Sequence, residues 1–275
     1  MSSDNFLHSF YAEAYYHSIV ARANHRPQLA DFVVRACRKL GRGAPAAGLE
    51  MCCGAGLLSA DLVERGVAMT AVDLHPEVIE CARDHGRRPE VNFEAGNMLD
   101  YRLEQPVDFA TNVGENLAVL RTNQHIITHL QSMAANILPG GLYILEMGRP
   151  WVILPLEQSR VEPPWLVYRY PPHKPQTGSE AGISVSVYWV AEEVRVDPMT
   201  QLFRQDLRMV VEKDGSSQEF ITEETGKIFY PEEFLALVEL AGGFELAGRY
   251  SGFRMAADWR KNPTTPEYVV VLRRR

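Results

Sequence analysis

The chain has 275 residues, of which 46% are hydrophobic and 23% are charged, a balance that is ordinary for a globular protein. This length allows one α/β domain with an inserted or appended subdomain. The net charge is −7, and no basic run occurs before the last three arginines, which argues against a nucleic-acid-binding function.

The sequence shows no sign of secretion or membrane insertion. The N-terminus is polar, acidic and aromatic, and no apolar run reaches the length of a membrane span. Cysteines 37, 52, 53 and 81 lack the spacing of metal ligands, and Cys52 and Cys53 are poorly placed to bridge to each other. We therefore expect reduced thiols in a cytoplasmic protein with no metal site and no membrane contact. A homodimer is compatible with the sequence, which does not specify an oligomeric state.

Residues 1–47 are predicted to form a helical N-terminal cap. Apolar side chains recur at near-helical spacing between Phe6 and Leu40, and Gly41 is a natural stop, so two or three helices are expected. The Gly-, Ala- and Pro-rich residues 41–48 indicate a flexible connection to the next domain.

The following segment has the form of a nucleotide-binding crossover. An apolar strand at 49–51 leads into a turn with Gly54 and Gly56, then an amphipathic helix at 57–66 and a second strand that ends at Asp73. The glycines let the backbone turn sharply and approach a ligand, and the helix offers free N–H groups at its start. Asp73 can accept both hydroxyl protons of a ribose.

Glu50 separates two classes of ligand. A dinucleotide-binding dehydrogenase has a purely apolar first strand and places the pyrophosphate on the helix N-terminus. Here an acid lies four positions before Gly54, where it can hold the ammonium group of a cofactor that carries an amino acid.

Three further strands complete the pattern. The third and fourth are predicted at 91–95 and 107–112, a helix runs from about 122 to 137, and a fifth apolar strand follows Pro139-Gly140-Gly141. In open α/β sheets the binding crevice lies beyond the carboxyl ends of the strands. Asn112, Glu115 and Asn116 are therefore expected to face bound ligands.

These motifs, taken in order, resemble those of the class I S-adenosylmethionine-dependent methyltransferases. The family has an acid and a glycine loop as at 50–56, a second-strand acid as at 73, a glycine turn as at 96–97 and a Pro-Gly-Gly step as at 139–141. The sequence departs from the family at Cys52, where a glycine is usual, and at Asn97, where an aspartate is usual. The resemblance implies an α/β fold with a Rossmann-like seven-stranded, mostly parallel sheet, and S-adenosylmethionine as the cofactor.

The resemblance also implies roles for individual residues. In the family the residue after the ribose-binding acid packs against adenine, which is Leu74 here, and the amide oxygen of Asn97 can accept from the adenine amino group. The implied cofactor-binding residues are Glu50, Cys52, Gly54, Gly56, Asp73, Leu74, Asn97, Met98 and Asn112.

The acceptor side is less defined. Tyr11 and Tyr15 are candidates near the transferring methyl group, although their rings could equally dock the first helix. Glu115 could remove a proton from the acceptor, fix an amine by charge, or cap its own loop. The substrate-binding candidates are Tyr16, Asn116, Arg149, Trp151 and Arg169.

Residues 151–226 are predicted to form an inserted antiparallel β-lid. A proline- and aromatic-rich connection up to 183 precedes strands at 183–196, 202–211 and about 219–222. Such a lid excludes water from the reacting groups. The Rossmann-like domain comprises 48–150 and 227–275, the latter with one helix and two strands.

The sequence thus predicts methyl transfer to a nitrogen, oxygen or sulfur of a small-molecule acceptor. The sulfonium of the cofactor already activates the methyl carbon, so the protein mainly aligns and shields the partners, and a base is needed only for a protonated acceptor. A non-catalytic S-adenosylmethionine-binding protein is the alternative that Cys52 and Asn97 leave open. A nicotinamide-dependent oxidoreductase is disfavoured by Glu50.

Overall fold

A computed structural model describes residues 27–86, 90–148, 166–170, 184–189, 195–213, 215–256, 259 and 267–275. The helices predicted before Pro27 lie outside these residues. Within them the helices are α1 Pro27–Leu40, α2 Leu57–Val63, α3 Pro76–Gly86, α4 Asn123–Asn136 and α5 Pro231–Ala241, with a short 3₁₀ helix at Asn116–Val119. The strands are β1 Ala47–Met51, β2 Ala68–Asp73, β3 Val91–Ala95, β4 Val107–Asn112, β5 Ile137–Gly148, β6 Leu166–Tyr170, β7 Ser184–Trp189, β8 Arg195–Asp197, β9 Leu202–Lys213, β10 Ser216–Lys227, β11 Phe244–Ser251 and β12 Glu267–Arg274.

Seven of these strands form one sheet in the order β11-β12-β5-β4-β1-β2-β3. Strands β1 to β5 pair in parallel, and β12 runs antiparallel to both β5 and β11. The predicted seven-stranded, mostly parallel Rossmann-like sheet is therefore confirmed. The strand order reverses between β1 and β4, so the crevice of this sheet opens beside the carboxyl end of β1.

Helices cover both faces of the sheet, as parallel strands require. Neighbouring residues of β5 show the two faces: Leu142 and Ile144 pack with α1 residues such as Phe32, whereas Tyr143 and Leu145 pack with α4 and α5. This alternation follows from the two-residue period of a strand. Because both faces of β5 are buried, its sequence is continuously apolar, which is the pattern that predicted this strand.

The boundary between α4 and β5 differs from the sequence prediction. The helix ends at Asn136 and the strand begins at Ile137, so Pro139-Gly140-Gly141 lies inside β5 and does not separate the two elements. The pairing of β4 with β5 shifts register at this point, between Val107 and Phe109. Gly140 takes a φ of 78° there, a conformation that favours glycine.

A second, antiparallel sheet is formed by the inserted segment in the order β10-β9-β7-β6, with β8 paired to β9. Strand β6 lies where the sequence indicated only a connection, so that prediction is wrong for Leu166–Tyr170. Strand β10 spans Ser216–Lys227, much longer than predicted, and pairs with β9 along its whole length. Several of its exposed residues, such as Gln218, Glu219 and Glu223, are polar, and these interrupt the apolar alternation.

Among the helices that the structure describes, none combines the length and the apolar character needed to cross a membrane.

Gly141 provides a test of the β4–β5 contact. A Cβ added to Gly141 would lie 2.5 Å from the Asp108 carbonyl oxygen and 2.9 Å from that of Leu138, and neither backbone group can rotate away. We expect Gly141→Ala to lower the free energy of unfolding by about 3 kcal/mol, measured by urea denaturation. Gly140→Ala is the control, because its Cβ meets only the Arg42 side chain at 3.7 Å. In Gly140→Ala, the left-handed backbone should lower the free energy of unfolding by only about 1 kcal/mol. Equal decreases in the two variants would contradict the steric argument for Gly141.

Candidate active site

The glycine loop between β1 and α2 is built on three left-handed residues. Cys52, Gly54 and Gly56 have φ angles of 56°, 51° and 66°. Two backbone hydrogen bonds fix the loop, from Cys53 N to the Val72 carbonyl (3.0 Å) and from Gly56 N to the Cys53 carbonyl (2.8 Å). Cys52 thus adopts the conformation of the glycine that it replaces, at the strain that a side chain brings to this region.

Gly56 is required for a second reason, which is space. A Cβ at this position would lie 2.4 Å from Cε1 of Phe93, a buried residue of β3. The loop therefore lies directly on the neighbouring strand, and its amides line the carboxyl edge of the sheet.

The carboxylate of Asp73 closes this loop onto the end of β2. Its Oδ2 accepts from Gly54 N at 3.1 Å, and its Oδ1 accepts from His75 N at 3.2 Å. Each carboxylate oxygen has a further lone pair. Asp73 can therefore hold the loop and still accept two hydroxyl hydrogens of a ribose.

Glu50 lies beneath the start of α2, with only 4% of its surface exposed. One of its oxygens accepts from both the backbone N–H and the hydroxyl of Ser59. Burial raises the pKa of Glu50 from 4.5 to about 7, against the lowering effect of the Ser59 hydrogen bonds. A cationic group placed beside it would favour its charged form.

Leu74 and Asn97 flank the end of β2. Leu74 is 56% exposed, which leaves an apolar surface beside Asp73. The side-chain oxygen of Asn97 accepts from Leu99 N at 3.0 Å, and so stabilises its own turn. A second lone pair of that oxygen can still accept from a ligand.

A buried polar chain supports the Asn97-Met98 turn from below. His129 of α4 contacts the Met98 carbonyl through Nδ1 (2.9 Å) and the Tyr143 hydroxyl through Nε2 (2.7 Å). Burial lowers the pKa of His129 to about 4, so the ring is neutral at pH 7. Because a carbonyl can only accept, Nδ1 carries the proton and Nε2 accepts from Tyr143.

Asn112 lies beside this chain at the end of β4. Its Nδ2 is 4.0 Å from the Met98 sulfur, and its buried Oδ1 has no hydrogen-bond partner in the described part of the chain. Sequence reasoning found Asn112 and Met98 but missed His129 and Tyr143. His129 is one of two histidines in α4, and its place in the sequence carries no local signal of this role.

Two acidic residues lie further along the same edge, beyond β4 and β5. Glu115 has a φ of 61°, and its carboxylate covers the backbone of Gly148, where a Cβ would lie 2.5 Å from Oε2. Glu146 is buried in β5 and accepts from Gly114 N at 2.7 Å. Asn116 donates through Nδ2 to the Val113 carbonyl at 2.6 Å, so its amide holds the loop.

A cleft opens between this edge and the second sheet, and we call it the acidic cleft. It is lined by Glu115, Leu117, Ala118, Glu146, Met147 and Gly148 on the first side, and by Phe203, Lys227, Ile228 and Phe229 on the side of β9 and β10.

The nine implied cofactor-binding residues all lie at the carboxyl ends of β1 to β4 or in the loops that follow these strands. Glu115 and Asn116 lie next to them. The remaining candidates are not placed: Tyr11, Tyr15, Tyr16, Arg149 and Trp151 lie outside the described residues, and Arg169 is described only as part of strand β6. No group of three metal-ligating side chains occurs within the described ranges.

Comparisons with known proteins agree with this geometry. Residues 49–141 match the family model described as a methyltransferase domain. The ubiquinone biosynthesis O-methyltransferase of Xylella fastidiosa (strain 9a5c) is 33% identical over 113 residues, which are 37% of this chain and 42% of that protein. The chain thus matches less than half the length of such curated relatives.

Solved structures extend the likeness to nearly the whole chain. A methyltransferase from Clostridium acetobutylicum, described as S-adenosylmethionine-dependent, aligns with a TM-score of 0.70 at 12% identity, over 97% of this chain and 98% of that one. CalS10, an amino pentose methyltransferase from Micromonospora echinaspora solved with the cofactor bound, aligns with a TM-score of 0.67 at 21% identity, over 92% and 94%. The fold is that of the class I S-adenosylmethionine-dependent methyltransferases, and the resemblance inferred from the sequence is confirmed.

The pKa of Glu50 gives the site a signature in protein stability. Its folded pKa of about 7 exceeds the unfolded value of 4.5, so the folded state holds a proton that the unfolded state releases. This contribution is complete below pH 4.5 and is lost as the pH rises through 7. His129 acts in the opposite sense, because its lowered pKa removes stability as the pH falls from 6.5 to 4.

Glu50→Gln removes only the first of these effects and keeps an acceptor for Ser59. The free energy of unfolding of the variant, relative to the unchanged protein, is therefore expected to rise by about 3 kcal/mol between pH 4.5 and 7. Chemical denaturation at several pH values measures this difference. Parallel pH profiles for the two proteins would show that Glu50 has no raised pKa.

Proposed function

We propose that this protein transfers the methyl group of S-adenosylmethionine to a small-molecule acceptor. The observation that carries the proposal is the carboxylate of Asp73, held by the amides of Gly54 and His75 at the end of β2 with lone pairs left for a ribose. The buried acid Glu50 on one side and the exposed Leu74 on the other fit the amino-acid and adenine ends of the same molecule.

Each part of the cofactor has a matching group in the chain. Glu50 would attract the ammonium, the amides of the glycine loop would face the methionine part, and Asp73 would bind the ribose. Leu74 would cover the adenine, and the neutral His129 would keep the Met98 turn in place beneath it. The cofactor itself supplies a methyl group activated by a sulfonium.

The acidic cleft supports an amine as the acceptor. Glu115 and Glu146 bring two carboxylates to its wall, while Phe203 and Phe229 supply apolar surface. The cleft has a volume of about 30 Å³, so it would admit the amino group of an acceptor, which the carboxylates would attract in its protonated form. Glu115 could take its proton before the nitrogen attacks the methyl carbon. One relative is named as an O-methyltransferase and one solved structure as a sugar N-methyltransferase. We infer a nitrogen acceptor from the carboxylates alone.

The inserted sheet would serve as the lid of this cleft, with domain boundaries at 48–150, 151–226 and 227–275. Phe203 of β9 lines it, and Lys227, the last residue of β10 and one position past that boundary, lines it too. The cytoplasmic location, the homodimer and the absence of nucleic-acid binding remain predictions.

A non-catalytic S-adenosylmethionine-binding protein is the second candidate. Cys52 has a strained backbone, and the Asn97 side chain accepts a hydrogen bond from its own turn. Both features favour this candidate, because both residues differ from the family pattern at the cofactor site. Both candidates predict cofactor binding, and only the first predicts transfer.

Cofactor binding is tested by calorimetry with S-adenosylmethionine and S-adenosylhomocysteine. We expect micromolar dissociation constants for both and a loss of about 100-fold in Asp73→Ala, since the ribose loses a charged acceptor of two hydrogen bonds. Asp31→Ala is the matched control, because Asp31 is an exposed acid of α1 that pairs with Arg65. Absence of binding heat with either ligand would overturn the proposal.

Transfer is tested by a screen with radiolabelled cofactor against primary and secondary amines, phenols and thiols. We expect the amines to be preferred, and Glu115→Gln to lower kcat/KM for them by about 100-fold through loss of a charge and a proton acceptor. The control Glu104→Gln changes an exposed acid away from the cleft. Binding without transfer to any acceptor would favour the non-catalytic candidate, and a preference for phenols would contradict the amine assignment.

A further inference from the structure

A second cleft lies on the outer side of α1, and its charge is opposite to that of the acidic cleft. Arg35 and Lys39 line it from α1, and Arg254 lines it from the loop that follows β11. Arg35 and Lys39 are four residues apart, so they lie on one face of the helix. We call this site the basic cleft.

The three cations of the basic cleft have no ion-pair partner among the residues that the structure describes. In the described part of the chain none of them forms an ion pair or donates a hydrogen bond, whereas Arg65, Arg249 and Arg275 each pair with a carboxylate. Like charges at this spacing repel each other. In a chain of net charge −7, these exposed cations form a local positive site that would attract an anion.

The cleft has a fixed apolar floor. Phe253 is buried, with 7% of its surface exposed, and its ring packs edge-on against Phe32 of α1 with 5.7 Å between centroids. Met255 and Ala256 continue the floor from the same loop. This packing ties the loop to the helix, so the cations are presented by two elements that are already joined.

The volume of the cleft matches a small molecule. It is an open cleft of about 410 Å³, a volume within the range of small-molecule sites. A membrane surface or a nucleic acid would require an extended or protruding basic face, with more cations than the three found here.

We propose that the basic cleft binds a small organic anion, with a phosphate or carboxylate head on Arg35, Lys39 and Arg254 and an apolar body against Phe253 and Met255. Guanidinium groups match both kinds of head by paired hydrogen bonds. The site shares no residue with the cofactor loop or the acidic cleft, so it stands independently of the proposed methyl transfer.

The test is calorimetric titration of the full chain with phenyl phosphate, inorganic phosphate and phenol. We expect phenyl phosphate to bind with a dissociation constant of about 1 mM or below, about tenfold more tightly than phosphate or phenol, and more weakly as salt is added. Arg35→Gln and Arg254→Gln should each weaken its binding about fivefold or more. Arg38→Gln is the matched control, because Arg38 is an exposed cation of the same helix that does not line the cleft.

The variants also separate this cleft from the cofactor site. Loss of Arg35 or Arg254 should leave the affinity for S-adenosylmethionine unchanged. Equal affinities in Arg254→Gln and Arg38→Gln would overturn the proposal, as would no binding at about 10 mM phenyl phosphate. Sedimentation with vesicles of phosphatidylserine in phosphatidylcholine tests whether the cations bind a lipid surface instead. Capture by these vesicles without phenyl phosphate binding would assign the cations to a lipid surface and overturn the small-molecule site.

Discussion

The carboxylate and the carbonyl of Asp73 join three segments that the candidate site requires. The carboxylate accepts from the glycine loop at Gly54 and from the following turn at His75, and the carbonyl accepts from Gly96 at the end of β3. Because these loops follow adjacent parallel strands, one residue at the end of β2 can reach all of them. These hydrogen bonds of Asp73 hold the left-handed glycine loop and the exposed Leu74 in position.

Buried ionisable groups beneath the loops keep the site rigid at some cost. Glu50 and His129 are both shielded from water, and each is compensated by hydrogen bonds, to Ser59 for the acid and to Met98 and Tyr143 for the imidazole. Their pKa values move in opposite directions, so their effects on stability oppose each other in mildly acidic solution. Such hydrogen-bonded groups fix the orientation of a site before ligand arrives.

The inserted sheet is anchored to the main domain where it meets the acidic cleft. Lys227, only 5% exposed, donates to Gln201 at 2.7 Å and lies 3.7 Å from a carboxylate oxygen of Glu233 at the start of α5. Gln201 in turn donates to Glu233 at 3.0 Å. One wall of the cleft is thus set by contacts between β10, the β8–β9 turn and α5, which gives the inserted sheet a defined base.

The sequence by itself determined the parallel part of the main sheet, because its strands are mainly apolar or alternate between buried and exposed residues, and each is followed by glycine or a polar turn. It also predicted that Glu50, Asp73 and Asn97 lie at one edge of the sheet, where the structure has them, since residues at the ends of parallel strands share one edge. Their role in binding a cofactor stays a prediction. It did not determine strand β6, the start of β5 or the length of β10, where pairing with neighbours overrides local pattern. The support of Met98 by His129, and the meeting of α1 with Arg254, were decided only by the tertiary structure. These residues are between 31 and more than 200 positions apart, and only the packing of helices against the sheet brings them together.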